Sequence, residues 1–339
     1  MRFRLTMSDK LSLGLFDKLR SFILIGAVFW GLFVGNFFSG FSQYSGLIVY
    51  VALIILLYSI MLTTPFWEIA RSFKNIRFMG LSWIANFVII PVIAWILALF
   101  FLKDHPAVFI GFILYLVTPC TDWFLIFTSM ADGDVPLGLA LMPTNLILQV
   151  VLIPVYLLLF AGKLIPFQFS AFIETLIVFI ILPFLLATTT RLVLRKIKSR
   201  EWTNALFDTV ISPIQLFSLA IVIFAMFAGQ TKIIIDNFNT LSLVFLPIMI
   251  FFILSFINAQ TFSKIFSLSY KECALFTCTT AARNSPLSLA IAFGIFPNKP
   301  LIQVAIIIGV IIELPILILV VKLLKVVKTT VYIKAAYGS

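Results

Sequence analysis

The chain has 339 residues, 62% of them hydrophobic and only 11% charged, with a mean hydropathy of +1.18 and a formal charge of +11. A soluble domain cannot hide that much apolar surface, whereas a bilayer accepts it. The basic residues stand between long apolar runs, which excludes nucleic-acid binding and points to a membrane surface.

Met1 to Arg20 is basic and amphipathic and reads as a cytoplasmic N-terminal segment (1–20). No small-residue cleavage site follows, so Ser21 to Phe38 reads as a retained first helix, not a removed signal. In chain order the apolar runs predict ten spans: 21–38, 46–67, 81–102, 108–131, 135–161, 171–190, 207–228, 241–261, 272–296 and 300–325. Most reach the roughly 20 residues that cross a bilayer. A cytoplasmic tail, 326–339, follows.

Ten spans put both termini on one side. The loops on that side carry nineteen Lys and Arg, from Arg2 to Lys334. The opposite loops carry four: Lys103, Lys163, Lys232 and Lys299. The positive-inside rule then places both termini in the cytoplasm, as in a multi-pass protein of the plasma or inner membrane.

Spans 1–5 (21–161) and 6–10 (162–325) read as two repeats. Five is odd, so the second repeat is inverted, as in many secondary transporters. The match is clearest in the fourth member of each half. Span 4 has Thr118-Pro119 at its centre, and span 9 has Ser285-Pro286. Ser or Thr followed by Pro is a helix-start signal, and a start at mid-membrane implies a broken helix. Irregular backbone at that depth is tolerated inside protein or beside a water-filled cavity.

The polar residues gather there. Asp122 and Arg283 flank the two breaks, and a charge at that depth is costly and usually functional. If the two broken helices cross, this pair is either a switch that opens with substrate or a static ion pair. Glu313 lies deep in span 10, where a carboxyl suits a proton carrier or a support for the broken backbone. Asn145 and Gln149 share a helix face at i, i+4. The sole histidine is His105, in a loop, and Cys120, Cys273 and Cys278 have neither zinc nor disulfide spacing. A histidine-built metal or catalytic centre is therefore not expected, and neither is a cofactor. No nucleotide-binding loop appears, so ATP is not the direct energy source.

Spans 4–5 read Thr118-Pro119-Cys120-Thr121-Asp122-Trp123, then Gly133-Asp134, Asn145 and Gln149. Spans 9–10 read Thr280-Ala281-Ala282-Arg283-Asn284-Ser285-Pro286, then Glu313-Leu314-Pro315. This pattern resembles the bile acid:sodium symporter superfamily, and within it the arsenical-resistance (arsenite efflux permease) branch. The resemblance implies an all-α fold of ten helices in which helices 4 and 9 are broken and cross at the midplane. Spans 3–5 and 8–10 would form a core domain, and spans 1, 2, 6 and 7 a panel domain. It also gives Cys120 the place of that branch's functional cysteine, a soft thiol ligand for trivalent arsenic. The substrate site implied comprises Cys120, Thr118, Thr121, Arg283, Asn284 and Ser285. Glu313 and Asp122 would couple protons, and Asn145, Gln149, Pro119 and Pro286 would support the site.

The sequence departs from the family at two points. Sodium-coupled members carry an acid at the second break, where this chain has Arg283 and no acid. The arsenical branch carries a basic residue before its cysteine, where this chain has Pro119. Two converging half-helix N-termini plus Arg283 predict a positive field, which suits an anion. The function expected is a secondary transporter, not an enzyme: proton-coupled efflux of arsenite or antimonite. Transport of a small organic or inorganic anion, with or without sodium, is the alternative. Outside transport, a channel or sensor is the alternative. The expected partners are a small-molecule or metalloid substrate, protons and lipid; a homodimer is left open.

Overall fold

A computed structural model describes residues 7–64, 66, 75–121, 123–162 and 169–333. Asp122 lies outside the described residues, as do Arg2, Arg4, Arg71, Lys74, Lys163 and Lys334 of the loop-charge count. Among the described residues every element is helical. A bilayer demands this, because helices satisfy their own backbone polar groups.

The elements in order are α1 (Met7–Phe37), α2 (Ser42–Thr63), α3 (Ile76–Phe101), α4 (Pro106–Leu116) and α5 (Trp123–Met130). There follow α6 (Val135–Tyr156), α7 (169–197), α8 (200–236) and α9 (Phe245–Ile265). The last are α10 (Tyr270–Ala281), α11 (Ser285–Ile295) and α12 (Pro300–Val327). Among the described residues seven helical stretches are long and apolar enough to cross a membrane. By contrast α4 and α11 have 11 residues each. That is a rise of about 16 Å, half of a hydrocarbon core of about 30 Å. Two sequence ends differ from expectation. Helix α1 begins at Met7, well before the apolar run, because the amphipathic stretch continues the helix. At the other end α12 is prolonged by a π turn (Lys328–Ile333), and Lys328 Nζ meets Asp132 Oδ2 at 3.0 Å.

Proline shapes several helices. The π turns Ala85–Ile89, Ile177–Ile181 and Phe207–Ile211 each stand just before a proline: Pro91, Pro183 and Pro213. Proline lacks an N–H and its ring crowds the carbonyl four residues back, so the helix widens there. In α3 the freed carbonyl belongs to Phe87, and the Tyr156 hydroxyl donates to it at 2.6 Å. The same π turn carries the buried amide Asn86 into the centre of the molecule.

Helices α1, α2, α7 and α8 pack on one another, and the remaining helices form a second group. Gly31 and Gly35 let α1 touch α8: a Cβ on Gly35 would stand 2.3 Å from the Ala228 carbonyl. This is the close approach expected of small residues between membrane helices. Large apolar side chains such as Phe29, Trp30 and Phe100 face outward. The start of α3, the turns after α5 and α9 and the extension of α12 meet at one end. There Arg77 Nη2 donates to the Phe266 carbonyl (2.6 Å), Tyr270 Oη to that of Ala131 (2.6 Å) and Tyr332 Oη to that of Leu268 (3.3 Å).

Candidate functional site

The helical chain is interrupted between Leu116 and Trp123, and again between Ala281 and Ser285. The two interruptions meet. Pro119 and Arg283 face each other in an isolated antiparallel bridge. Cys120 N donates to the Ala282 carbonyl (3.0 Å), and Asn284 N donates to that of Thr118 (2.7 Å). Unwound backbone in an apolar interior must find partners, and each break supplies them to the other. Proline fits this bridge because it has no N–H to strand.

The helix restarts differ from the reading of the two Ser/Thr-Pro pairs. In the second break Asn284 is the N-cap, its Oδ1 accepting from Leu287 N at 3.3 Å, while Ser285 and Pro286 fill the first turn. In the first break the described part of the next helix runs from Trp123. The Thr118 hydroxyl turns back onto α4, donating to the carbonyls of Leu114 and Tyr115 at 3.1 Å each. A Thr at a helix C-terminus finds free carbonyls close by, and these draw the hydroxyl away from the N-cap role. Its oxygen also lies 2.6 Å from the Ser288 hydroxyl, which ties α4 to α11.

Arg283 is buried at 2% exposure. Its guanidinium bonds the carbonyls that end both half-helices. Nη1 donates to Leu116 of α4 (2.9 Å), Nη2 to Thr279 (3.2 Å) and Thr280 of α10, and Nε to Ala281 (3.4 Å). Nη2 also reaches Asn86 Oδ1 (3.3 Å), and the group lies over the Phe251 ring. The positive charge therefore faces the negative ends of two helix dipoles. It does not stand at their N-termini, where an anion would need it, and the expected positive field is correspondingly reduced.

Glu313 sits beneath the second break. Its Oε1 accepts from the backbone N of Arg283 (2.9 Å) and its Oε2 from the Tyr115 hydroxyl (2.8 Å). Tyr115 reaches it by crossing Gly309, whose missing Cβ would stand 2.6 Å from the ring. One carboxyl thus touches the second break and the half-helix before the first.

On α6, Asn145 Nδ2 approaches Thr279 Oγ1 (3.4 Å) and Gln149 Oε1 accepts from Asn284 Nδ2 (3.3 Å). Asn284 Nδ2 also reaches Thr121 Oγ1 (3.3 Å). Asn145 Oδ1 and Gln149 Nε2 are buried without a partner among the described residues. Native interiors rarely leave such atoms unpaired. The Cys120 side chain is buried at the crossing. Cys273 and Cys278 are buried on α10, and Cys273 Sγ contacts Gln260 Oε1 at 3.4 Å. Among the described residues no three His, Cys, Asp or Glu gather to hold a metal. A narrow cleft bordered by Leu56, Ile60, Gln215 and Leu219 of α2 and α8 reaches Trp123 and Pro286, next to the two breaks.

Thr118, Pro119, Cys120, Thr121, Gln149, Arg283, Asn284 and Glu313 meet at the crossing, while Asn145 reaches Thr279 of α10, Ser285 opens α11 and Pro286 lines the cleft. Tyr115, Asn86, Thr279 and Ser288 were missed by sequence reasoning. Asn86 was the most legible: it is the sole amide in the apolar run 81–102.

The Sodium Bile acid symporter family matches residues 50–237, which include the first break. The arsenical-resistance protein Acr3 of Corynebacterium glutamicum is 28% identical over 320 residues, 89% of this chain and 86% of that protein. The protein of the same name from Alkaliphilus metalliredigens is 20% identical over 333 residues, 92% of each. An uncharacterized transporter of Synechocystis is 23% identical over 295 residues, 81% of this chain and 77% of the relative. The apolar helices, the paired breaks and these matches lead to one conclusion: the chain is a multi-pass membrane transporter, not an enzyme, and belongs to the sodium bile acid symporter family.

Proposed function

We propose that this transporter exports arsenite or antimonite in exchange for protons, with the metalloid bound at Cys120. The observation that carries this reading is a single thiol at the unwound crossing of a chain similar to two arsenical-resistance proteins. Trivalent arsenic is soft and thiol-seeking. Thr121, Asn145, Gln149, Asn284 and Ser285 supply hydrogen-bonding groups for its hydroxyls, and the two unpaired amide atoms suit a neutral hydroxylic solute. Glu313 is the proton carrier in this reading. A change in its protonation alters the bonds to Arg283 N and Tyr115 together.

The architecture proposed is two inverted five-helix repeats, with α4–α5 and α10–α11 as the broken members and both termini cytoplasmic. Packing supports it. Helix α1 lies on α8 as α7 lies on α2, and α3 lies on α4 as α9 lies on α10. Of the segments that meet at one end, those bearing Arg77, Lys264, Lys271 and Lys328 carry basic residues that predict the cytoplasmic side. The panel in this scheme is α1, α2, α7 and α8, and the core is the rest.

Purified protein in sealed liposomes tests the reading. Arsenite, antimonite and small carboxylates are compared under imposed pH or sodium gradients. Metalloid movement driven by the pH gradient is expected. Movement only of carboxylates, or an absolute need for sodium at fixed pH, overturns it.

A further inference from the structure

We propose that the Arg283 guanidinium is a tethered cation that permanently fills a monovalent-cation site at the crossing. Five oxygens surround it: the carbonyls of Leu116, Thr279, Thr280 and Ala281, and Asn86 Oδ1. The Phe251 ring closes another side, with its centroid 5.5 Å from the guanidinium carbon. This is a hard, oxygen-only ligand set with an aromatic face, the chemistry that alkali and guanidinium ions share. In discontinuous membrane helices such half-helix C-termini and unwound carbonyls hold a free ion. Here the chain brings its own. The nearby Glu313 carboxylate, which accepts from the Arg283 backbone N, adds negative charge to the same place.

The consequence is twofold. The intact protein has no vacancy for an alkali ion at its crossing, so its stability is indifferent to which monovalent cation is present. A chain lacking the side chain exposes the oxygen cage to outside cations. Neither statement depends on what the cargo is, so both stand or fall apart from the metalloid reading.

The test has two arms on the full-length protein in detergent. In the first, the melting temperature of the unaltered protein is followed in sodium, potassium and choline chloride at equal ionic strength. Equal values are expected, and a sodium-specific or potassium-specific rise overturns the proposal. In the second, Arg283→Ala and Arg283→Lys are compared. Arg283→Ala is expected to lose several degrees in choline and to regain most of them with millimolar guanidinium or methylguanidinium, or with a small alkali ion. Arg283→Lys keeps a tethered charge, and its smaller loss is expected to be indifferent to added cation. If Arg283→Ala melts at the same temperature in every salt, the cage does not select a cation and the proposal fails. If Arg283→Ala does not fold, the first arm and the lysine variant still decide: a lysine variant rescued by free cation would contradict a filled site.

Discussion

The two breaks achieve one crossing by different means. The first is longer, between Leu116 and Trp123, and it holds Cys120. Its own hydroxyl, on Thr118, folds back on the preceding helix. The second is short, between Ala281 and Ser285, and is capped by Asn284. From it Arg283 bonds the carbonyl ends of both half-helices, and Glu313 holds its backbone. The difference assigns labour. In the proposed mechanism the second break carries the structure of both, and the first carries the thiol that binds the cargo. Substitutions at the second should cost more stability than those at the first, and Cys120→Ser at the first should change transport while the fold persists.

The largest effect is expected at Glu313. Glu313→Leu strands the buried Arg283 N–H, at about 1–3 kcal/mol, while the Tyr115 hydroxyl keeps the Gly309 carbonyl at 3.0 Å. It should lower the melting temperature in detergent more than Asn284→Ala or Thr118→Val does. Glu313→Gln keeps an acceptor but cannot titrate, so it should fold and still lose pH-driven metalloid movement. Normal pH-driven transport by the Gln variant would remove Glu313 from the coupling role.

Gly309→Ala comes next. The added methyl would stand 2.6 Å from the Tyr115 ring, pushing it off Glu313. Overpacking of this kind costs about 1–3 kcal/mol. A melting temperature and a pH dependence both unchanged would mean that Tyr115 can move without consequence.

The smallest pair compares the breaks directly. Asn284→Ala removes an N-cap, worth about 1 kcal/mol. Thr118→Val removes a hydroxyl that turns back on its own helix, reaches the Asn284 carbonyl at a long 3.4 Å and meets Ser288, which keeps the Leu114 and Asn284 carbonyls as partners. Its loss should be smaller than that of Asn284→Ala. Equal or reversed losses in thermal melts would show that the first break is as structural as the second.

Much of this crossing was legible in the sequence, and the rest was hidden for a definite reason. Thr118-Pro119 and Ser285-Pro286 marked the two interruptions because proline cannot continue a helix's bonding without cost. The helix running from Trp123 and the cap at Asn284 were displaced from those pairs, since the bridging of one break by the other decides where each helix resumes. Arg283 and Glu313 stood out as buried charges, but their partners did not. The partners are backbone carbonyls and a backbone N–H, groups that every residue carries and no sequence pattern marks. Tyr115 was hidden in an apolar run, and only the glycine one helix away gives it a path to Glu313.

The division of labour between the breaks is tested most directly at Cys120. Cys120→Ser keeps nearly the same size and a polar hydroxyl and removes the soft ligand. The variant and the unaltered protein would be placed in sealed liposomes under the same pH gradient, with arsenite movement measured alongside thermal melts of both. An unchanged melting temperature with arsenite movement abolished is the predicted result. Arsenite moving at the normal rate through Cys120→Ser would contradict the thiol mechanism and, with it, the claim that the first break carries the cargo.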